Sequence, residues 1–505
     1  MLNFFRKITG AAGLDVKSEQ LHEVARTAIL RRHQSPRRSF KGADVDRLQS
    51  NWNPSGQSND ASIRMGLRKM RLRSRELYYN NEYAKHFCRL LKNNVVGAGI
   101  RLQAKTKDPD GTIDRAANHL LEDGWKRWGK RGVCDVTGKL SFVDVLRLCV
   151  ETAARDGELL VRKVRGYRNK FGFALQLIEA DHLDENLNGQ LPGGNIIRMG
   201  IEFDSWDRPV AYHVLRTHPG DYIYGHQRGS QHERIPASDI IHLHLPEFVR
   251  QSRGVPWLHA AMARLKKMDS YEWSELVASN LSANKMAFYE ADPDADPSWF
   301  DSEDDEGEFI EESEAGTFGV VPMGYRLKEF DPQHPAGNFD PFMKRMMRGF
   351  SSGAGLSYVS LGNDLSEVNF SSIRFGTEED RDFYKALQNW MVEWLCEEVY
   401  AEWLPSAMLS GQVALPFSKI DKFRSVVWRP RRWGYINPIQ DATSKDRQLK
   451  YGGLTLTDLH AEQGSDYEEY LETLAEEEAL EKEYKVRPPA KQEALQTKEK
   501  PQAKA

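Results

Sequence analysis

The carboxylates of residues 291–314 are the densest group of chemically competent side chains in this 505-residue chain. ADPDADPSWFDSEDDEGEFIEESE holds twelve Asp or Glu and no Lys or Arg. Asp301, Asp304, Asp305, Glu306 and Glu308 form its centre. Clustered carboxylates suit hard cations such as calcium or magnesium, and a pair of such ions could hydrolyse a phosphodiester. The spacing argues against both. It lacks the D-x-[DN]-x-[DN]-G order of an EF-hand. A two-metal centre needs carboxylates fixed by rigid elements around ions about 4 Å apart, which a loop rich in Asp and Glu does not supply. Two alternatives remain, a solvated charged loop or a contact surface for a basic partner.

The other candidates are weaker. His242 and His244 stand at i, i+2 of an apolar run, so a strand would point both to one face. They could ligate a metal, but no neighbouring Cys or acidic residue completes a set, and a structural role is expected. No GxxxxGK[ST] occurs, which argues against a P-loop motor. Gly97-Ala98-Gly99 has neither a preceding strand nor a third glycine. No GxSxG is present, and no Cys sits in a nucleophile context. Arg64, Arg68, Lys69, Arg71, Arg73 and Arg75 could meet phosphates. An ordinary basic helix surface explains them as well, and so does a subunit interface, since the Arg fork pairs carboxylates bidentately. The polar stretch SYVSLGNDLSEVNFSS is too long for an ordinary helical hairpin; its Ser, Asn, Gly and acidic residues could slide past a polyanion without gripping it. No cofactor is expected.

These groups need elements to hold them. Residues 1–60 read as loosely structured. A helix is expected from Ala61, with Ile63, Leu67, Met70, Leu77, Tyr83, Phe87 and Leu91 near 3.6-residue spacing, ending at VVGAG. A second covers 111–130, and a third lies between Ser141 as N-cap and Gly157 as stop. Short strands follow, ELLVRKV, FALQLIEA, IIRMGIEFD, PVAYHVL and IIHLHL, giving an α+β domain to about residue 250. A long helix is expected from Pro256, and a strand pair in TFGVVPMGYRLKEF turns around Gly324. Another helix begins with Asp340 as cap and Pro341 in its first turn, stopping at Gly353 and Gly355. A long helix over 372–404 is stopped by Pro405. Small helices fill 438–486, and the Lys/Pro/Gln-rich tail is expected to be disordered. The acidic run therefore lies between two helices and must project from a helical stalk.

Composition sets the outer bounds. The length calls for several domains. Net charge is −4, so overall charge gives no strong attraction to nucleic acid or membrane. The distribution is uneven: residues 31–92 carry fifteen Lys or Arg against five Asp or Glu, while 468–483 is acidic, as expected when segments face different partners. Cys88, Cys134, Cys149 and Cys396 lack metal-like spacing and read as reduced thiols. No window approaches the ~20 apolar residues of a membrane span, so a soluble protein is expected.

Three stretches in order resemble one family. They are LRKMRLRSRELYYNNEYAKHFCRLLKNNVVGAGIRL (67–102), RIPASDIIHLHLPEFVRQSRGVPWL (234–258) and GLSYVSLGNDLSEVNFSSIRFGTEEDRDFY (355–384). The third contains Asn369-Phe370-Ser371-Ser372-Ile373-Arg374. Together they are similar to the lambda-type portal proteins of tailed bacteriophages, over about residues 40–480. The family's fold is α+β, with a wing, a helical stem, a small α/β clip and a helical crown, assembled as a ring of about twelve subunits.

Placed by order, the resemblance implies a flexible basic segment at 1–40, a wing at 41–255, a first stem helix at 256–288 and a clip with the acidic insertion at 289–337. A second stem helix at 338–354 and a tunnel loop at 355–371 follow. A long helix with a return to the wing occupies 372–436, the crown 437–488 and a disordered tail 489–505. The acidic insertion is denser than the family pattern. The function implied is a channel at one capsid vertex, through which double-stranded DNA is packaged and ejected without sequence specificity. Partners would be the terminase large subunit, head-completion or adaptor proteins, the major capsid protein and scaffold, with no membrane. The chain would reside in the virion, after assembly in the host cytoplasm, and would not be an enzyme. Leu361, Asn363, Asp364, Glu367 and Asn369 would line the tunnel loop. Lys344, Arg345 and Arg348 would make weak, sequence-blind DNA contacts. The five central carboxylates of the acidic run would meet a clip partner.

Overall fold

The structure, a computed structural model, describes residues 56–221, 232–283, 287–291, 325–329, 339–366, 369–433, 438–462 and 467–484. The expected N-terminal segment and C-terminal tail, the TFGVVPM strand and the acidic run from Asp292 onward fall outside these residues. The chain divides into two compact units, Met1–Ser58 and Asn59–Ala505; every element below belongs to the second.

The first expected helix forms as two, α1 (Asn59–Asn80) and α2 (Glu82–Leu91). Asn81 breaks it. Its backbone is extended, and its side-chain oxygen accepts from the N–H groups of Tyr83 and Ala84, both at 3.1 Å, a helix N-cap. A π turn over Lys92–Val96 leads out to Gly97. Then come β1 (Arg101–Ala104), α3 (Arg115–Trp128) and α4 (Phe142–Asp156). Ser141 and Asp144 form the capping box that opens α4, and Gly157 closes it.

The strands that follow are β2 (Glu158–Arg165), β3 (Phe173–Glu179), β4 (Gly189–Gln190), β5 (Ile196–Arg198), β6 (Ile201–Phe203), β7 (Pro209–Leu215), β8 (His232–Pro236) and β9 (Ile240–His244). They make an antiparallel three-stranded sheet, β3-β2-β9, and an antiparallel meander of β4 to β8 in chain order. Successive side chains on a strand point to opposite faces, and β2 is buried on both. Leu159 and Val161 join the main core with the helices. Leu160 joins a second core with Ile178, Ile201, Phe203, Tyr212 and Ile235 of the meander side. Antiparallel sheets with helices set to one side give the expected α+β architecture.

After β9 come α5 (Met262–Ala283), β10 (Ala287–Ala291), β11 (Tyr325–Glu329) and α6 (Phe339–Ala354). α5 starts later than the expected Pro256, because 257–261 is a set of turns. β11 pairs with β10, with Ala291 opposite Tyr325; the TFGVVPM strand expected across Gly324 lies outside the described residues. Both ends of the acidic excursion are therefore held side by side on a two-stranded ribbon. α6 runs antiparallel to α5: a Cβ at Gly353 would sit 3.1 Å from the Ala261 Cβ, and one at Gly349 would collide with the Arg264 guanidinium. Gly353, expected as a stop, is therefore a close-contact residue inside the helix.

The expected polar loop contains a helix, α7 (Tyr358–Gly362), capped by the Ser357 side chain. It is followed by α8 (Phe370–Met391), a π turn over Val392–Cys396 and α9 (Glu397–Leu409). Pro405 lies inside α9 and does not stop it. The proline removes one backbone donor, while buried Trp403, Leu404, Ala407 and Met408 keep the helix seated in the core. β12 (Val426–Arg429) then pairs with β1. Three small helices complete the described chain, α10 (Pro438–Lys450), α11 (Leu456–Glu462) and α12 (Tyr467–Tyr484). Trp125 is the aromatic hub of the main core, with Trp128, Phe142, Trp403, Trp428 and Tyr400 at ring-centroid distances of 4.9 to 5.7 Å. Among the described residues no helix is long and apolar enough to cross a membrane.

Candidate nucleic-acid interface

The Arg-rich stretch of α1 splits in two. Arg64, Arg68, Lys69 and Arg73 are exposed. Arg71 is buried and bonds Glu158 at 2.8 Å and Asp181 at 2.9 Å. Arg75 bonds Asp156 at 2.9 Å and Asp181 at 2.5 Å. Glu158 is fully buried and also accepts from Arg253 Nε at 2.8 Å, His242 Nε2 at 2.9 Å and the Gly254 N–H at 2.9 Å. Burial alone would raise its pKa. The charge of Arg253, the hydrogen bond from His242 and the charge of Arg71 outweigh that and hold it well below the usual range. Asp181 is drawn down to about 2: burial opposes, and Arg71 and Arg75 prevail. The chain can cross here only because Gly157 and Gly254 lack side chains; a Cβ at Gly254 would lie 2.2 Å from the Gly157 carbonyl oxygen. Two of the six candidate phosphate-binding side chains are therefore internal structure, a role the sequence does not disclose.

The same network corrects the view of the histidine pair. The rings of His242 and His244 do share a face, 4.4 Å apart, and an acidic residue does complete the group, Glu158 from β2. Glu158 already receives two guanidinium groups, which disfavours a cation beside it. Burial pushes His244 down to about 3. Glu179, Asp181 and His218 also converge within 4.8 Å, but Asp181 is held by Arg71 and Arg75 and offers little to a metal. All four thiols are buried and free, and burial raises Cys88 and Cys134 to about 12, which removes them as nucleophiles.

On α6, Met343, Met347, Phe350 and Ala354 are buried, while Arg345 and Arg348 are exposed on the other side. Lys344 is turned aside, 2.9 Å from Asp340 and 4.0 Å from Asp364. The Arg348 guanidinium lies over the Tyr358 ring at 5.5 Å. The segment after α6 is anchored for its first half. Asp380 of α8, itself buried, accepts from the Ser357 N–H and hydroxyl, both at 2.7 Å, and from the Ser360 hydroxyl. His86 of α2 bonds the Ser360 carbonyl at 3.1 Å. Leu361 is 1% exposed, so in this chain it is a packing residue and not a lining one. The anchor extends to Asp364, which accepts from the Tyr358 hydroxyl at 2.6 Å. Hydrogen bonds from Ser366 and Tyr358 draw the Asp364 pKa down.

Exposure begins at Asn363, whose left-handed backbone (φ 50°) ends α7. Leu365, Ser366 and Asn369 are also exposed. Glu367 and the carboxylates Asp301, Asp304, Asp305, Glu306 and Glu308 lie outside the described residues. Sequence reasoning missed Ser357, Tyr358, Asp380 and His86. A capping serine ahead of the apolar pair Val359 and Leu361 was the available signal for α7.

Residues 45–388 match the family described as phage portal protein, lambda family. This chain belongs to the lambda family of phage portal proteins. It is 40% identical over 427 residues to a probable portal protein of Halomonas phage phiHAP-1, spanning 83% of this chain and 82% of the relative. Portal protein B of Escherichia phage lambda is 21% identical, covering 87% of this chain and 89% of its own length. The portal protein of Escherichia phage N15 is 20% identical, at 83% and 85%. Among solved structures, a chain from the neck of an empty gene transfer agent particle aligns with a TM-score of 0.45 and 14% identity, over 81% of this chain and 94% of that one. A chain from the neck of the native particle gives 0.43 and 14%, at 83% and 98%. The function is that of a portal in phage DNA packaging, and the family is a structural one.

Proposed function

We propose that the chain assembles into a ring of about twelve subunits at one capsid vertex, with double-stranded DNA passing along its axis in both packaging and ejection. Residues 41–255 form the wing, α5 and α6 the stem, and the β10–β11 ribbon with its acidic excursion the clip. Residues 355–371 form the tunnel loop, 372–436 the long helix and return to the wing, and 437–488 the crown. The observation that carries this is the polarity of the 355–369 segment. Its first half is tied to α2, α6 and α8, and it turns outward only from Asn363. A short polar tip on a fixed base can approach a duplex without adhering to it. Asn363 and Asn369 belong to that tip, Asp364 stands at its junction with the base, and Glu367, outside the described residues, is assigned to it by its place in the sequence.

Arg345 and Arg348 provide the weak phosphate contacts. Lys344 is held by carboxylates and acts on DNA less. No base readout is needed, since any genome sequence must pass. Ring symmetry repeats the acidic clip around the channel mouth, where it repels phosphates and keeps DNA from sticking. Asp301, Asp304, Asp305, Glu306 and Glu308 meet the terminase large subunit or, later, an adaptor protein. Major capsid protein and scaffold meet the outer wing. No catalytic step is assigned to these carboxylates.

Deletion of residues 363–369 tests the tip. The expected result is normal assembly with loss of retained DNA. Wild-type genome retention in that deletion would remove the tip from the mechanism. This deletion spares Leu361, whose loss would damage the core and confuse the outcome.

A further inference from the structure

Two exposed helix faces of this chain remain without a role, and they are complementary. Met65, Leu72 and Tyr79 on α1 are 78%, 55% and 70% exposed. They recur every seven residues and so form one stripe, about 21 Å long at 1.5 Å per residue. Arg68 flanks the stripe on one side, Lys69 and Arg73 on the other, with Arg64 near its start. None of these four cations has an ion-pair partner among the described residues. Three large apolar side chains along the middle of a basic face suit a packed protein contact better than a polyanion.

The second face runs along α8 and α9. Phe375 is 72% exposed, and Glu379, Asp382, Ala386, Asn389, Glu393 and Glu397 follow it on the exposed side. Asp382 is partnered by Lys385 at 2.8 Å. Glu379, Glu393 and Glu397 have no cation within ion-pair reach among the described residues. From Glu379 to Glu397 the face is about 27 Å long, comparable with the stripe on α1.

We infer that the basic, apolar-centred face of α1 in one copy docks on the acidic face of α8–α9 in the next copy. This rests on the ring assembly proposed above. A closed ring is heterologous: each subunit must present two different patches, each used once. Opposite charge on the two faces orients the pair and disfavours like-with-like contact. The apolar stripe supplies the buried centre of the contact, around which the charges form a rim.

The test uses the full-length chain, with native mass and electron-microscope class averages as readouts. Arg68→Glu with Arg73→Glu, and separately Glu379→Lys with Glu393→Lys, place like charges across the interface. Each is expected to lower the ring fraction at least about tenfold, with the circular dichroism of the folded chain unchanged because all four sites are exposed. Combining all four substitutions is expected to restore rings. As an independent measurement, Leu72→Cys with Ala386→Cys should crosslink neighbouring copies into a ladder on oxidation, since the four native thiols are buried.

Rings that persist in either reversed variant overturn the pairing and leave ring assembly standing. If those rings retain less DNA, the α1 face belongs to DNA instead. A combined variant that stays dissociated, with no Cys ladder, also overturns the pairing. A wild-type chain that forms no ring under any condition overturns ring assembly itself.

Discussion

The α1 stretch 64–75 and the α6 stretch 344–348 look alike as sequence: both are runs of Lys and Arg on an amphipathic helix. The structure gives them opposite uses. In α1, Arg71 and Arg75 turn inward to Glu158, Asp156 and Asp181. In α6, Met343, Met347 and Phe350 occupy the buried side, and Arg345 and Arg348 are left outside. The difference lies in what each helix packs on. α1 meets the junction where α4 ends and β2 begins, with three carboxylates in Asp156, Glu158 and Asp181, whereas α6 meets the apolar residues of α5. A basic helix is a nucleic-acid candidate only after the acids available to it inside the fold have been counted.

The largest effect should come from the buried side. Glu158→Gln leaves Arg253 and Arg71 facing a neutral group in the interior, and should cost about 3–5 kcal/mol, read from the denaturation midpoint. A loss below about 1 kcal/mol would mean that water reaches the network and that the two basic stretches differ less than the burial implies.

His244, beside that network, provides a pH test. Its folded pKa is depressed to about 3, below the ordinary value near 6.5. Its contribution is thus fully present above pH ~6.5 and is lost as pH falls toward the folded value. Between pH 7 and 5 that loss should be about 2 kcal/mol, and His244→Asn should flatten the profile over that range. Glu158 and Asp181, also depressed, act lower: their contribution is present above their ordinary carboxylate values and lost as pH falls through the depressed ones, about 2 for Asp181.

Asp380→Asn sharpens the comparison on the side of the tunnel segment. It weakens three hydrogen bonds from Ser357 and Ser360 and should cost about 1–3 kcal/mol, with faster protease cleavage near residue 360. Unchanged cleavage would show that Leu361 packing alone holds the base of the segment. The smallest stability effect belongs to Arg345→Ala with Arg348→Ala, under about 1 kcal/mol. The same pair should reduce DNA retention and its salt dependence. Equal retention would make α6 a purely structural helix.

Local signals were the legible part of the sequence. The capped start of α4 at Ser141, its stop at Gly157, the strand runs and the helices around the acidic excursion were all readable, because each depends on neighbours within a few residues. Long-range pairings were not. Glu158 meets Arg71 and Arg253 across 87 and 95 residues, and Asp380 meets Ser357 across 23. β11 pairs with β10 across the whole acidic segment. Pro405 was misjudged as a stop for the same reason: Trp403, Leu404 and Met408 hold α9 through contacts made elsewhere in the core. The portal family was visible in three motifs, yet those motifs did not separate Leu361, which packs, from Asn363, which faces out.

Native mass of the purified full-length chain, with electron-microscope class averages of the same sample, tests the proposed channel most directly. Rings of about a dozen subunits around an axial hole wide enough for duplex DNA are expected. A closed particle with no axial opening would contradict the channel.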